Sequence, residues 1–482
     1  MLIWILLVAA AVFVLALAVS ARVPLAYNVR NLTVRWRTTL LTGLAFTLVT
    51  ALLVVMLAFI NGMKRLTTAS GQPGNVLVLA EGATDETWSN LNVGDLAEIE
   101  VQPEVVRGKD GRPMASRETY MVVNQPVPPD APPGRPKRRF LQLRGIENPL
   151  LAAEVHNLRL LPGGTWFSSS GSRLDHEAPD NAPSAQPMIE VVLGEGIARE
   201  LGRDRSPEKL ASARNRQRLD AGDVYFLGED PQSQAGDAEA GRPAQARKWI
   251  VVGIMDSAGS TFDSELWAKQ SLVAPLFGKD TFTSLVVRTR EDATARKFRD
   301  FLNNAGQESE GGQQTPKPAT SGLRRTTVNA LVEKDYYEGM TEMTDVFLWA
   351  IVVVTVFISI GGIFGVMNTM FAAISQRIKD IGVLRLLGYA RWQILVCFLL
   401  ESLVIALVGG AIGCLLGTVV NGWTATCVVS GHTSGGKLVV LKLVVDGSIL
   451  ALGGLLSLGL GVLGGLLPAL AAMRLKPLKA LR

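Results

Sequence analysis

Five stretches without a single Asp, Glu, Lys or Arg run through the 482 residues, at 1–21, 38–63, 346–376, 402–436 and 447–473. About 20 apolar residues cross a hydrocarbon core of roughly 30 Å, so every one of these runs is long enough to span a bilayer. The chain therefore reads as a multi-span membrane protein. Its 48% hydrophobic and 19% charged content follows from those runs, which dilute an otherwise ordinary charge density.

Charge distribution sets the orientation, because short loops rich in Lys and Arg stay in the cytoplasm. Arg22, Arg30, Arg35 and Arg37 form one such flank, and Arg377, Lys379, Arg385 and Arg391, with Asp380, form a second. The tail carries Arg474, Lys476, Lys479 and Arg482. With all three inside, residues 2–20 cross inward, 39–61 outward, about 346–372 inward, 393–424 outward and 445–471 inward again. The first run also offers small residues at Ala16-Leu17-Ala18 and Ser20-Ala21, as a cleaved signal peptide would, but it has no basic n-region and is read as a retained span. Residues 63–344 are left as one large external segment with 34 Lys and Arg against 39 Asp and Glu, while the rest of the chain has 14 against 4. A nucleic-acid partner needs a basic soluble face, and this segment is acidic. Cys397, Cys414 and Cys427 all lie in or beside spans, so the external segment is not a disulfide scaffold.

The fold class is thus an α-helical transmembrane bundle of about five spans with a large extracytoplasmic α+β domain inserted after the second. Short runs of β-branched and aromatic residues predict strands over 75–79, 119–123, 140–144, 188–193, 223–227, 249–254 and 284–287. Helical patterns cover 195–201 and 292–302. Between them, 126–136, 168–187, 230–247 and 306–322 have compositions too polar and too rich in Pro, Gly or Ser to build a core. Residues 327–343 read as a helix leading back to the membrane. His156, His176 and His432 have no metal-ligand spacing, and no nucleophile, base and orienting group can be assembled, so neither a metal nor a catalytic site is expected.

The most informative stretch is 358–417, ISIGGIFGVMNTMFAAISQRIKDIGVLRLLGYARWQILVCFLLESLVIALVGGAIGCLLG. Ile374, Ile378, Ile381 and Leu384 recur at helical spacing, with Arg377, Lys379 and Arg385 elsewhere around the axis. Such an amphipathic helix either rests on lipid or enters a groove on a partner. Gly361/Gly365, Gly409/Gly413/Gly417 and Gly461/Gly465 stand four apart, a spacing that lets helices approach closely in lipid, although Gly is common in membrane helices in any case. Glu401 is singled out as a functional acid in its span, acting as a hinge or reaching the interface.

This stretch resembles the FtsX-like permease domain of MacB-type ABC transporters, through Gly361-Gly362, Gly365, Met367-Asn368, Gln376-Arg377, Asp380-Ile381-Gly382, Leu387-Gly388, Ile394, Phe398 and Glu401. Two positions depart conservatively, Gln376 and Asp380 standing where that family usually has Glu. The ending LLPALAAMRLKPLKALR and the stretch Tyr27 to Leu32 are similar to the same family's, and Val191 to Gly194 and Val251 to Ile254 resemble strands of its periplasmic domain. The resemblance implies four regions: 1–21, an extra N-terminal span; 22–62, a basic flank and span; 63–344, a MacB-like core domain with a stalk helix; and 345–482, an FtsX-like permease domain whose cytoplasmic coupling helix is 373–391. It further implies an ATPase-coupling set of Gln376, Arg377, Asp380, Ile381, Gly382, Arg385, Leu387 and Gly388.

No GxxxxGK[ST] phosphate loop occurs. The resemblance therefore implies a non-enzymatic subunit in the bacterial cytoplasmic membrane, paired as a homodimer or with a related permease. ATP and Mg would sit on a separate ABC ATPase, and a further periplasmic protein would attach outside. The expected work is export or lipoprotein release. The alternative is an FtsX-type regulator that switches a cell-wall hydrolase.

Overall fold

The computed structural model describes residue 34 and residues 36–474 apart from 129, 175–186, 228–246, 258, 280, 308–327, 340, 341 and 430–436. The predicted first span, the stretch Tyr27 to Leu32 and the end of the basic tail lie outside the described residues, as do most of the low-complexity insertions. Contacts divide the chain into two units, one of residues 1–62, 346–423 and 442–482, the other of 63–345 and 424–441.

Four described helices are long and apolar enough to cross a membrane, over Thr39–Leu66, Leu348–Ser375, Arg391–Val420 and Gly447–Met473. In chain order, α1 is Trp36–Ala69, after which β1 (Asn75–Ala80), α2 (Val93–Glu100), β2 (Ala115–Pro126), β3 (Arg138–Ile146), α3 (Pro149–His156), β4 (Arg159–Leu160) and β5 (Ser172–Arg173) open the external domain. It continues through β6 (Met188–Gly194), α4 (Glu195–Gly202), α5 (Pro207–Ser212), β7 (Val224–Leu227), β8 (Arg247–Asp256) and β9 (Glu265–Lys269). Next come α6 (Gln270–Leu276), β10 (Ser284–Arg288), α7 (Asp292–Gln307), β11 (Val328–Val332) and α8 (Glu333–Gly339). The chain then returns through α9 (Glu342–Ser375), α10 (Ile378–Leu386) and α11 (Arg391–Gly417) to β12 (Thr424–Val429), β13 (Lys437–Lys442) and α12 (Gly447–Met473).

All seven predicted strands and both predicted helices of the external domain are present, and the strands join one sheet of order β11-β1-β10-β2-β3-β9-β6-β8-β4, with β5 paired to β6 and β7 to β8 off that path. The β1, β6 and β8 runs are almost wholly buried, as strands covered on both faces are. The helix expected over 327–343 begins instead as β11, which pairs antiparallel with β1 from Val76↔Val332 to Ala80↔Val328. Tertiary pairing overrides the helical pattern here. Asn303 completes the exposed side of β11 by bonding both the N–H and the C=O of Ala330, at 2.7 and 3.0 Å, which protects an edge strand from pairing elsewhere. The uncharged run 402–436 does not stay helical to 424: α11 ends at Gly417 and Thr424 begins β12, a strand assigned with β13 up to residue 441 to the external unit.

In the membrane unit, glycine sets how closely helices meet. A Cβ on Gly409 would lie 2.7 Å from the Gly43 carbonyl oxygen, one on Gly413 2.6 Å from that of Thr47, and one on Gly417 2.5 Å from Val54 Cγ1. These three form a ladder against α1. Gly461 and Gly465 present the same demand to Ala406 and Ser402, at 2.6 and 2.7 Å. Hydroxyls then bridge the close backbones, Thr47 Oγ1 donating to Gly409 O, Ser402 Oγ to Gly461 O and Ser457 Oγ to Ala406 O at 3.1, 2.7 and 2.9 Å. Gly361 and Gly365 are different: among the described residues nothing lies within 4 Å of a Cβ on either, so neither sets a close approach between the described helices.

Gly413→Ala should therefore cost about 1–3 kcal/mol by overpacking, whereas Gly365→Ala should be neutral or gain up to about 1 kcal/mol of helix propensity. Thermal unfolding in detergent, followed by size-exclusion recovery, separates the two; equal effects would refute the ladder.

Candidate functional site

The candidate site is the turn that joins α9 to α11. The helix α9 ends at Ser375, and Arg377 takes φ −112° and ψ 14°, which breaks the helix before α10 restarts. At its other end α10 closes in a Schellman motif, Tyr389 N–H bonding Leu384 O and Gly388 N–H bonding Arg385 O at 3.2 and 3.3 Å. Gly388 has φ +95°, a conformation that glycine adopts without a Cβ penalty. The Ala390 N–H at the start of α11 is taken by Gln393 Oε1 at 2.8 Å, so each bend has its own local cause.

Arg377 turns inward. Its Nη1 and Nη2 donate to Glu401 Oε2 and Oε1 at 2.6 and 2.7 Å, both side chains being 4% exposed. The guanidinium also lies 5.9 Å from the Phe398 ring centre. A bidentate fork is the geometry in which a buried carboxylate and guanidinium satisfy each other. Glu401 is thus the buried counterion that ties the turn to α11. Around the pair, Ile374, Ile381, Ile394, Phe398, Ala469 and Ala472 form one buried cluster.

That cluster corrects the sequence reading of the docking stripe. Ile374 and Ile381 face the chain's own spans, Ile378 and Leu384 are half-buried, and Gly382 is buried. Gln376, Asp380, Leu387 and Gly388 are exposed and Arg385 is half-buried, so the expected coupling set splits, with Arg377, Ile381 and Gly382 buried. The apolar side chains left facing outward are Val383, Leu386, Leu387 and Trp392, at 47, 65, 72 and 50% exposure. Sequence reasoning missed Val383, Leu386 and Trp392. Their signal was a second set of apolar positions, 383, 386 and 387, on the other face of α10.

A second ionic cluster, which nothing in the sequence marked, is buried in the external domain. Arg144 donates from Nε and Nη2 to Glu265 at 2.7 Å each, and from Nη1 to Glu86 at 2.7 Å and to Glu118. His156 lies between Glu118 Oε1 and Glu333 Oε1, at 2.7 and 2.9 Å. Burial alone would lower the His156 pKa, but Glu118 and then Glu333 outweigh it and hold the ring protonated, pushed up from 6.5 to about 10. Burial would likewise raise the Glu118 carboxyl, yet His156 and Arg144 bring it below its ordinary value. Among the described residues no group of His, Cys, Asp and Glu is arranged to hold a metal ion.

Membrane-crossing helices, an α+β domain inserted in sequence between the first two described spans, and an ion-paired turn between the second and third define a polytopic permease-like protein. Two family models match: the MacB-like periplasmic core domain over residues 39–305 and the FtsX-like permease C-terminal domain over 352–477. The first covers more than half of the chain, and the chain belongs to that family, as an ABC transporter permease of the MacB/FtsX type. It is 29% identical over 250 residues to the macrolide export ATP-binding/permease protein MacB of Hahella chejuensis, covering 49% of this chain and 33% of that one. It is 37% identical over 123 residues to the uncharacterized ABC transporter permease YknZ of Bacillus subtilis, covering 26% and 28%. These matches span about a third of the relatives' length or less. Among solved structures, the periplasmic region of MacB from Actinobacillus actinomycetemcomitans aligns with 58% of this chain and 98% of that one, at 12% identity and a TM-score of 0.31.

Two outcomes follow from the two ionic clusters. Arg377→Met or Glu401→Gln alone should cost about 3–5 kcal/mol by stranding a buried charge or its partner, while Arg377→Met with Glu401→Leu should recover most of it; equal losses in all three would show that the pair carries no such energy. Because the folded His156 pKa lies above its unfolded value, its contribution is complete below about pH 6.5 and fades as pH rises through about 10. The unfolding midpoint of the full chain should therefore fall between pH 7 and pH 10.5 by more than that of His156→Gln, and parallel profiles would count against a protonated ring.

Proposed function

We propose that this chain is the membrane-spanning subunit of an ABC complex in a bacterial cytoplasmic membrane, working with a separate ATPase that binds ATP and Mg. The observation that carries the reading is the face of α10. A short helix held from beneath by a buried bidentate ion pair presents Val383 and Leu386 outward, with Leu387 from the turn after it and Trp392 from the start of α11 also exposed, and Gln376, Lys379, Asp380 and Arg391 exposed around them. Apolar side chains with a charged rim on a rigid base suit a helix-in-groove contact. The matched relative named as an ATP-binding/permease protein supports an ATPase as the occupant of that contact.

In this reading, closure of two ATPases drives α10, and the Arg377–Glu401 pair passes the displacement to α11 without slippage. The work is done on the external domain, as export or lipoprotein release, with a further periplasmic protein attached outside. Among the described residues, only 6% of the most apolar part of α9 is buried, against 33–50% for the other three described spans. That exposure, with Gly361 and Gly365 lying open on it, supports a second permease chain, identical or related, as its neighbour in lipid.

Tagged protein extracted in mild detergent should carry a stoichiometric ATPase identifiable by mass spectrometry, and Leu386→Asp should lower its recovery about tenfold, as expected for a contact of hot-spot strength. Undiminished recovery with Leu386→Asp would remove α10 as the docking face. No ATPase even after crosslinking would leave a membrane-anchored scaffold, and a cell-wall hydrolase alongside the ATPase would favour the regulator.

A further inference from the structure

Three stretches carry the chain between the external domain and the spans, and all three end on the same buried structure. The first follows α1: Ser70 Oγ accepts the Thr261 N–H at 2.9 Å, and the Gln72 N–H and Asn75 Nδ2 donate to Glu333 Oε2 at 2.8 Å each. The second leads into α8, whose first residue is Glu333 itself. The third is the β12–β13 hairpin between α11 and α12. There Val439, Val440 and Leu441 are buried, and the Val440 N–H donates to Ser264 Oγ at 2.7 Å.

Thr261–Ser264 is a single short helical turn, so its first residue holds the stretch after α1 and its last holds the hairpin. Ser264 is followed directly by Glu265, the bidentate partner of Arg144. From there the contacts run without a gap: Arg144 to Glu118, Glu118 to His156, His156 to Glu333, and Glu333 back to Gln72 and Asn75. The side chains of Ser264, Glu265, Arg144, Glu118, His156, Glu333 and Asn75 are each at most 3% exposed, and half-buried Gln72 joins through its backbone N–H.

The charge count fits a joint more closely than simple core filling. Four carboxylates, Glu86, Glu118, Glu265 and Glu333, share two cations, and neutral donors complete them: Trp267 Nε1 on Glu265, Ser284 Oγ on Glu86 and Asn75 Nδ2 on Glu333, at 3.0, 3.2 and 2.8 Å. Apolar surfaces can slide by an ångström at little cost, because dispersion and burial carry no direction. A buried charge network has direction and cannot exchange partners without stranding a charge.

We infer that Arg144 and His156 are positioning residues of a buried ionic joint to which all three membrane-leading stretches are fastened, so that displacement of any one is delivered to the sheet and to the other two together. The use of this joint in transmitting ATP-driven motion rests on the function proposed above; its existence does not, and it is tested without an ATPase.

Hydrogen exchange of the full-length chain in lipid nanodiscs reads the joint directly. In His156→Gln, amides of 70–75 and of 437–442 should both exchange at least about tenfold faster, although the ring of His156 bonds to Glu118 and Glu333, while β6 and β8 keep their protection. In Ser264→Ala only 437–442 should loosen. Loosening of 437–442 absent from His156→Gln would overturn the joint. So would an equal loss across β6 and β8, which is what a merely structural role produces. Should His156→Gln not fold, the near-isosteric Glu333→Gln is read in the same way, with the same two results deciding. Loss of ATPase recovery in Leu386→Asp bears on the function reading alone, so the two can fail separately.

Discussion

Hydrocarbon solvates neither a charge nor a backbone amide, and that constraint organises the membrane unit. It forces uncharged helices, and it removes the hydrophobic difference between helix and lipid that would otherwise drive association. What remains is close contact and internal hydrogen bonding. The ladder of Gly409, Gly413 and Gly417 against α1, with Thr47, Ser402 and Ser457 bridging backbones, is the form that contact takes here. The same constraint explains Arg377 and Glu401: 24 residues apart in sequence, each is tolerable at 4% exposure only because the other is there.

How far this could be read from the amino acids depended on whether the signal was local. Spans declare themselves by missing charge, and β1, β6 and β8 by runs of Val, Ile and Leu that no helix period explains. In contrast β9, Glu-Leu-Trp-Ala-Lys, carries a charge at each end, and its Glu265 belongs inside only because Arg144 arrives from β3. The segment 328–332 fits either period until β1 supplies its partner. Likewise Ile374, Ile378, Ile381 and Leu384 do form a stripe, but a period gives a face and never says what covers it. The bundle's own Phe398, Ala469 and Ala472 cover much of it, and the contact surface passes to Val383, Leu386 and Leu387. The ionic core of the external domain was illegible for a related reason. Its members, Glu86, Glu118, Arg144, His156, Glu265 and Glu333, lie far apart in sequence, and neighbouring strand patterns mark a strand without saying that its charged residue meets a buried partner.

The two ionic clusters stand at comparable places in the chain's course, and this bears on where motion can arise. Arg377–Glu401 fixes the bend between two spans, and the Arg144–His156 core fixes the stretches by which the external domain is tethered. Both are points at which a force would otherwise be lost to local rearrangement, since bends and tethers are the softest parts of a helical framework. A chain that stiffens its bends with directional, desolvated bonds leaves its compliance to the continuous helices and to contacts that burial alone maintains. On the function proposed here, the stroke would then be expressed as whole helices shifting along glycine-lined seams, where small side chains and single hydroxyl bridges oppose sliding far less than a stranded charge does.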